Sequence, residues 1–183
     1  AVLRYNPRGT LHITPEFTME HILRGRFLGC GKATDIVVRD GRVVSIGPCG
    51  KGRADAGTTR SFFGPTLFDM QVNGAFGIDL QSASLKPEDV ARITDALASR
   101  GVSCWMPTLI TARLDAMEWG CRMIAEALKD PRIARAIPGI HIEGPYISPM
   151  DGPRGAHARD CVRDPDLQEF DRLLKASCGK IAC

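Results

Sequence analysis

After Phe62 the sequence alternates three times between a short apolar run and a helical pattern, and this repeat constrains the fold more than any other feature. Thr66–Val72 (TLFDMQV) reads as a buried strand. Pro87 then suits the first turn of a helix, and Glu88 and Asp89 favour its N-terminus; Val90, Ile93 and Leu97 share one face, and Gly101 ends it. Val102–Thr108 is a second apolar run. In Arg113–Lys129, Leu114, Met117, Cys121, Ile124 and Leu128 recur at helical spacing, the clearest amphipathic helix in the chain. Asp130-Pro131 stops that helix, Ala136–Glu143 (AIPGIHIE) supplies a third strand, and a long loop leads to a last helical stretch over Pro165–Ser177. Strands separated by helices run parallel, because a chain that re-enters a sheet in the same direction needs a crossover. The expected class is therefore α/β. Residues 63–183 are about half of the ~250 that a closed eightfold barrel takes, so the stretch is either a small open α/β domain or the first three βα units of a partial TIM-like (β/α) barrel.

The region before it has a different rhythm. Thr34–Pro48 (TDIVVRDGRVVSIGP) places β-branched runs on both sides of Asp40-Gly41, a strong hairpin signal. Gly50–Thr59 has almost nothing to bury and reads as a loop or boundary. The expected division is a small β domain over 1–62, its first thirty or so residues unassigned, and an α/β domain over 63–183. Lys plus Arg number 24 against 21 Asp plus Glu, a net charge of +3. That balance gives no basis for binding nucleic acid or an anionic membrane, while an anionic small substrate stays open. No apolar run approaches the ~20 residues of a membrane-spanning helix, and the first residues lack the apolar centre of a signal peptide. The seven cysteines (Cys30, Cys49, Cys104, Cys121, Cys161, Cys178 and Cys183) form no CxxC pair; they read as reduced thiols of a cytoplasmic protein.

Three places hold groups able to carry chemistry. Alternation along Phe68–Asn73 sets Asp69, Gln71 and Asn73 on one strand face, where they either hydrogen-bond nearby loops or form part of a site. In Ile140–Pro145 (IHIEGP), His141 and Glu143 share a face, and Glu143 falls at the C-terminal strand end, where parallel α/β proteins bind ligands. A carboxylate there ligates zinc, acts as a base, or is simply a satisfied buried group. The loop Ser148–Asp160 (SPMDGPRGAHARD) carries Arg154, His157 and Arg159, donors that suit an oxygen-rich anion such as a sugar phosphate; for Arg159 and Arg163 the plainer reading is a solvated basic loop. Serine has no GxSxG context, and no GxGxxG or GxxxxGK phosphate loop is present.

Together, GPTLFDMQVNGAFGIDL (Gly64–Leu80), RGVSCWMPTLIT (Arg100–Thr111), GIHIEGPYIS (Gly139–Ser148) and RGAH (Arg154–His157) resemble the N-acetylglucosamine-6-phosphate deacetylases of the amidohydrolase superfamily, in order and in spacing. The hairpin is similar to that family's small β-sandwich-type domain. The resemblance implies that Glu143 ligates a catalytic divalent metal, usually zinc, and that Gln71 and Asn73 stand where many amidohydrolases place an HxH metal pair. Ala156 and His157 then match the family's substrate contact. It also implies deacetylation of N-acetylglucosamine 6-phosphate to glucosamine 6-phosphate and acetate, and a homodimer. The family's remaining histidine ligands and its general acid/base aspartate are expected beyond the end of this sequence, so the chain reads as the N-terminal part of such an enzyme. One departure is the order Gly64-Pro65, the reverse of the family's usual pair. Two other readings stay open: another amidohydrolase acting on a different amide, and a non-catalytic partial-barrel binding module.

Overall fold

The computed structural model describes residues 2–5, 11–14, 20–28 and 31–183. Its contacts divide the chain into two units, Ala1–Thr66 and Leu67–Cys183. Cys30 and parts of the unassigned N-terminal stretch lie outside the described residues.

In the first unit, β1 (Val2–Tyr5) pairs antiparallel with β2 (Leu11–Thr14). A four-stranded sheet is built from β3 (Glu20–Phe27), β4 (Ala33–Arg39), β5 (Arg42–Pro48) and β6 (Ala56–Phe63), in the order β5-β4-β3-β6. β4 and β5 form the expected hairpin. Asp40 (φ 52°) and Gly41 (φ 73°) both take left-handed backbone, as a two-residue turn matched to strand twist requires. The stretch read as a loop over Gly50–Thr59 is a strand from Ala56 onward, and the expected boundary after residue 62 falls inside β6. The reason is pairing: β6 lies parallel to β3 at Leu23↔Ala56 and Arg24↔Gly57, a long-range partner that local composition does not announce. Arg24 Nε and Nη2 donate to the two carboxylate oxygens of Asp35 at 2.7 and 2.8 Å, and Gly50 N donates to the same carboxylate.

The second unit contains β7 (Leu67–Val72), a small hairpin of β8 (Gly74–Ala75) and β9 (Ile78–Asp79), α1 (Pro87–Ala98), β10 (Val102–Ile110), α2 (Leu114–Ala127), α3 (Pro131–Ala136), β11 (His141–Glu143) and α4 (Leu167–Ala176). β10 pairs parallel with β7 on one side and β11 on the other, the arrangement expected from the alternation. Residues 180–183 extend the hydrogen bonding beyond β11: Ile140 N donates to Lys180 O, Ala182 N to Ile140 O and Ile142 N to Cys183 O. Pro87 opens α1, where Asp89 accepts from Lys86 N. Asp130-Pro131 does end α2, but it also starts α3: the Asp130 side chain caps Arg132 N and Pro131 needs no donor in a first turn. The third strand is accordingly shorter than Ala136–Glu143, with Ala136 closing α3 and Ile140 making only an isolated bridge to Ile181.

Val90, Ile93 and Leu97 of α1 and Met117, Cys121 and Ile124 of α2 pack with Trp105 and Leu109 of β10 into one apolar cluster. Trp105 is fully buried, and its indole Nε1 donates to Thr94 Oγ1 (3.2 Å). Among the described residues no helix is long and apolar enough to cross a membrane.

Candidate functional site

Because β7, β10 and β11 are parallel, their C-terminal ends emerge together. Gln71 and Val72 end β7, Ile110 ends β10 in register with Glu143, and Glu143 ends β11. The strand pleat that places Gln71 and Asn73 on one face turns both amides toward Glu143. Gln71 Nε2 donates to Glu143 Oε2 at 2.8 Å and Asn73 Nδ2 donates to the same oxygen at 3.2 Å. The other carboxylate oxygen, Oε1, lies 3.6 Å from His157 Nε2. Gln71, Asn73, Ile110, Glu143, Ala156 and His157 line an open cleft of about 280 Å³.

His157 reaches this cleft from the loop after β11, and three contacts fix it there. Its Nδ1 lies 2.9 Å from Thr111 Oγ1, its carbonyl accepts from Arg154 Nη1 (2.6 Å), and Arg154 Nη2 bonds Asp151. Arg154 thus braces its own loop through Nη1 and Nη2, while its buried Nε has no hydrogen-bond partner among the described residues. Arg159 is exposed. Arg163 is no solvated surface residue either: Nε and Nη2 grip Glu169, and Nη1 donates to Ala112 O. A basic side chain beside backbone carbonyls left free at the turns of a loop finds its partners there. Tyr146 donates its hydroxyl to Asp166 O and Glu169; burial first, and then the Glu169 charge, push its phenol above the ordinary value, so it stays a donor.

The remaining sequence candidates separate cleanly. Asp69 Oδ1 accepts from Gln71 N and does not line the cleft. His141 shares a hydrogen bond with the buried Thr108 hydroxyl (3.2 Å), the plainer of its two readings. Two residues that pattern reading passed over support the site from behind. Thr111 Oγ1 touches both His157 Nδ1 and, at 3.4 Å, the Glu143 carbonyl. Gln81 clamps the end of β10 with a reciprocal pair, accepting from Ile110 N and donating to Ile110 O, each at 2.9 Å. The signal for Thr111 was a hydroxyl at the end of an apolar run; for Gln81 there was none.

As a metal site this donor set is partial. Among the described residues no three His, Cys, Asp or Glu side chains gather closely enough to hold an ion, whereas a catalytic zinc takes three protein ligands. Glu143 offers one carboxylate, already oriented by two amide donors in the way outer partners orient a ligand. The described residues do not fit a complete metal centre.

The chain matches no protein-family model. It is 33% identical over 173 residues to the N-acetylglucosamine-6-phosphate deacetylase of Bos taurus, a match over 90% of this chain and 40% of that protein. The human N-acetylglucosamine-6-phosphate deacetylase is 31% identical over 170 residues, 87% of this chain and 39% of its own length. An N-acetylgalactosamine-6-phosphate deacetylase of Escherichia coli O157:H7 is 26% identical over 163 residues, covering 87% and 42%. Among solved structures, an N-acetyl-D-glucosamine-6-phosphate deacetylase variant from Mycobacterium smegmatis, in complex with N-acetyl-D-glucosamine-6-phosphate, superposes with a TM-score of 0.72 at 25% identity over 88% of this chain and 42% of that one. The chain therefore spans about 40% of the length of the curated relatives it matches. The resemblance carried by the four motifs is borne out in sequence and fold alike.

Proposed function

We propose, from this likeness to N-acetylglucosamine-6-phosphate deacetylases, that the chain serves the metal-dependent deacetylation of N-acetylglucosamine 6-phosphate to glucosamine 6-phosphate and acetate. In this reading the first unit is a small β-sandwich-type domain, and the second is the opening three βα units of a (β/α) barrel. The protein works on a soluble sugar phosphate in the cytoplasm, as a homodimer. The observation that carries the proposal is the convergence of Gln71, Asn73, Glu143 and His157, drawn from three separate segments, on one cleft at the strand ends.

Each residue has a role in that reading. Glu143 is the single metal ligand contributed by the described residues, with zinc as the ion. Such a metal, when bound, polarises the amide carbonyl of the substrate. Gln71 and Asn73 both donate to Oε2, which holds the carboxylate in one orientation and leaves Oε1 facing the cleft. His157 and the Ala156 backbone beside it contact the sugar. Arg154 keeps that turn in place.

The test uses the protein that carries this chain. Glu143→Gln is expected to lower bound metal and acetate release together, by at least tenfold; normal metal content with normal turnover overturns the assignment. His157→Ala is expected to raise KM for the phosphorylated sugar, and an unchanged KM removes it from substrate binding. A second reading has one observation behind it, the Escherichia coli O157:H7 relative's name. Faster acetate release from N-acetylgalactosamine 6-phosphate than from the gluco epimer would favour it. Stoichiometric metal without turnover on any acetylated sugar would favour a binding module.

A further inference from the structure

The cleft histidine has two ring nitrogens, and which of them presents a proton decides whether the site offers a donor or an acceptor. We infer that Thr111 is a positioning residue that keeps His157 with an Nε2–H, and not a lone pair, facing the cleft. The inference rests on the proposed function only for the identity of the ligand, an acceptor oxygen on the sugar or its acyl group.

The Thr111 hydroxyl belongs to a residue only 4% exposed and has one proton to give. Two acceptors are in reach: His157 Nδ1 at 2.9 Å and the Glu143 carbonyl at 3.4 Å. The first distance is that of a well-formed hydrogen bond, whereas the second lies at the limit of one. With the proton given to Nδ1, the ring hydrogen belongs on Nε2. The opposite side of the ring agrees, because Nε2 faces the Glu143 Oε1 at 3.6 Å, and a carboxylate favours an N–H toward it over a lone pair.

The surroundings leave Thr111 little freedom to do otherwise. Gln81 pins the preceding residue, Ile110, through both of its backbone groups. From another direction Gly144, at φ +91°, packs so closely that a Cβ there would collide with Thr111 Oγ1. The hydroxyl therefore sits where the end of β10, the end of β11 and the His157 loop meet.

The experiment is ring-nitrogen NMR at pH 8 on the full chain, labelled with ¹⁵N in its four histidines. His157 is assigned by loss of its signals in His157→Gln. The expected wild-type pattern is a protonated Nε2 and an Nδ1 shifted upfield by an accepted hydrogen bond. Thr111→Val, which keeps the shape and removes the hydroxyl, is expected to move the Nδ1 resonance downfield or to mix in the Nδ1–H form, and Thr111→Ser to restore the wild-type pattern. A wild-type His157 that carries its proton on Nδ1 overturns the inference, and so does a Thr111→Val spectrum indistinguishable from wild type. If the valine variant does not fold, the serine variant and the wild-type pattern decide. Because no substrate or metal enters the measurement, its failure is distinct from failure of the deacetylase reading.

Discussion

The two units of this chain are held together by different means. In Leu67–Cys183 a continuous apolar cluster lies between the helices and the parallel sheet, with Leu80, Val90, Ile93, Trp105, Leu109, Met117 and Ile124 almost wholly out of water. In the four-stranded sheet of Ala1–Thr66, Ile36 and Val38 are the buried apolar residues among those described, while Val43, Ile46 and Phe62 are each more than half exposed. What orders that sheet is the strand ladder, the tight turn at Asp40-Gly41 and the two-pronged Arg24–Asp35 pair. The difference shows that one short chain combines a region stabilised by non-directional burial, tolerant of pH, with one stabilised by directional polar contacts, which depend on charge.

Both tryptophans, Trp105 and Trp119, lie in the second unit, so indole fluorescence reports that unit alone. The largest effect is expected from Trp105→Ala, which empties a fully buried site and costs about 3–5 kcal/mol; a urea midpoint that hardly moves would show that the cluster is not what holds the second unit. Next comes Gly144→Ala, where strain at positive φ adds to the collision with Thr111, for about 3 kcal/mol. Its unfolding should be read by the same fluorescence, and the loss should be smaller in Thr111→Ala/Gly144→Ala, measured against Thr111→Ala, if the hydroxyl contact is the obstacle. In the first unit, the hydrogen bonds from Arg24, joined by Gly50 N, hold the Asp35 carboxyl down to about 2. A depressed carboxyl contributes stability that is present above its ordinary value and lost as pH falls toward the folded one. Asp35→Asn is thus expected to cost on the order of 1–2 kcal/mol at neutral pH, with most of that cost gone near pH 2. Amide exchange of β3 and β4 in wild type and variant at pH 6 and pH 2.5 checks this, and a wild-type advantage of the same size at both would break the contrast. The smallest effect belongs to Gly41→Ala, about 1 kcal/mol for a left-handed turn in open space, visible as faster exchange in β4 and β5 only.

The sequence was most legible where structure is local. The hairpin, α1 and α2 follow from a turn dipeptide, a proline with acidic neighbours, and helical spacing of apolar residues. It was least legible where the partner is distant: β6 lies in a stretch with nothing to bury because its mate is β3, and the start of the third strand was overestimated because Asp130-Pro131 caps a short helix as well as ending a long one. The cleft divides along the same line. Gln71, Asn73, Glu143 and His157 are legible as polar residues at strand ends and beside a tight turn. That Arg154 also braces its own loop, through bonds to the His157 carbonyl and Asp151, is a contact that no sequence pattern announces.

Gln81 carries a consequence of another kind. Its side chain meets the backbone of Ile110 with a donor and an acceptor side by side, as a neighbouring strand would. Glutamate there would set an oxygen against the Ile110 carbonyl, and asparagine falls one methylene short. Of these three side chains, glutamine alone meets both backbone groups. It is as narrowly specified as any residue lining the cleft while touching nothing that enters it, so in a family of such sequences an invariant glutamine here would record the demands of the scaffold and not those of a ligand.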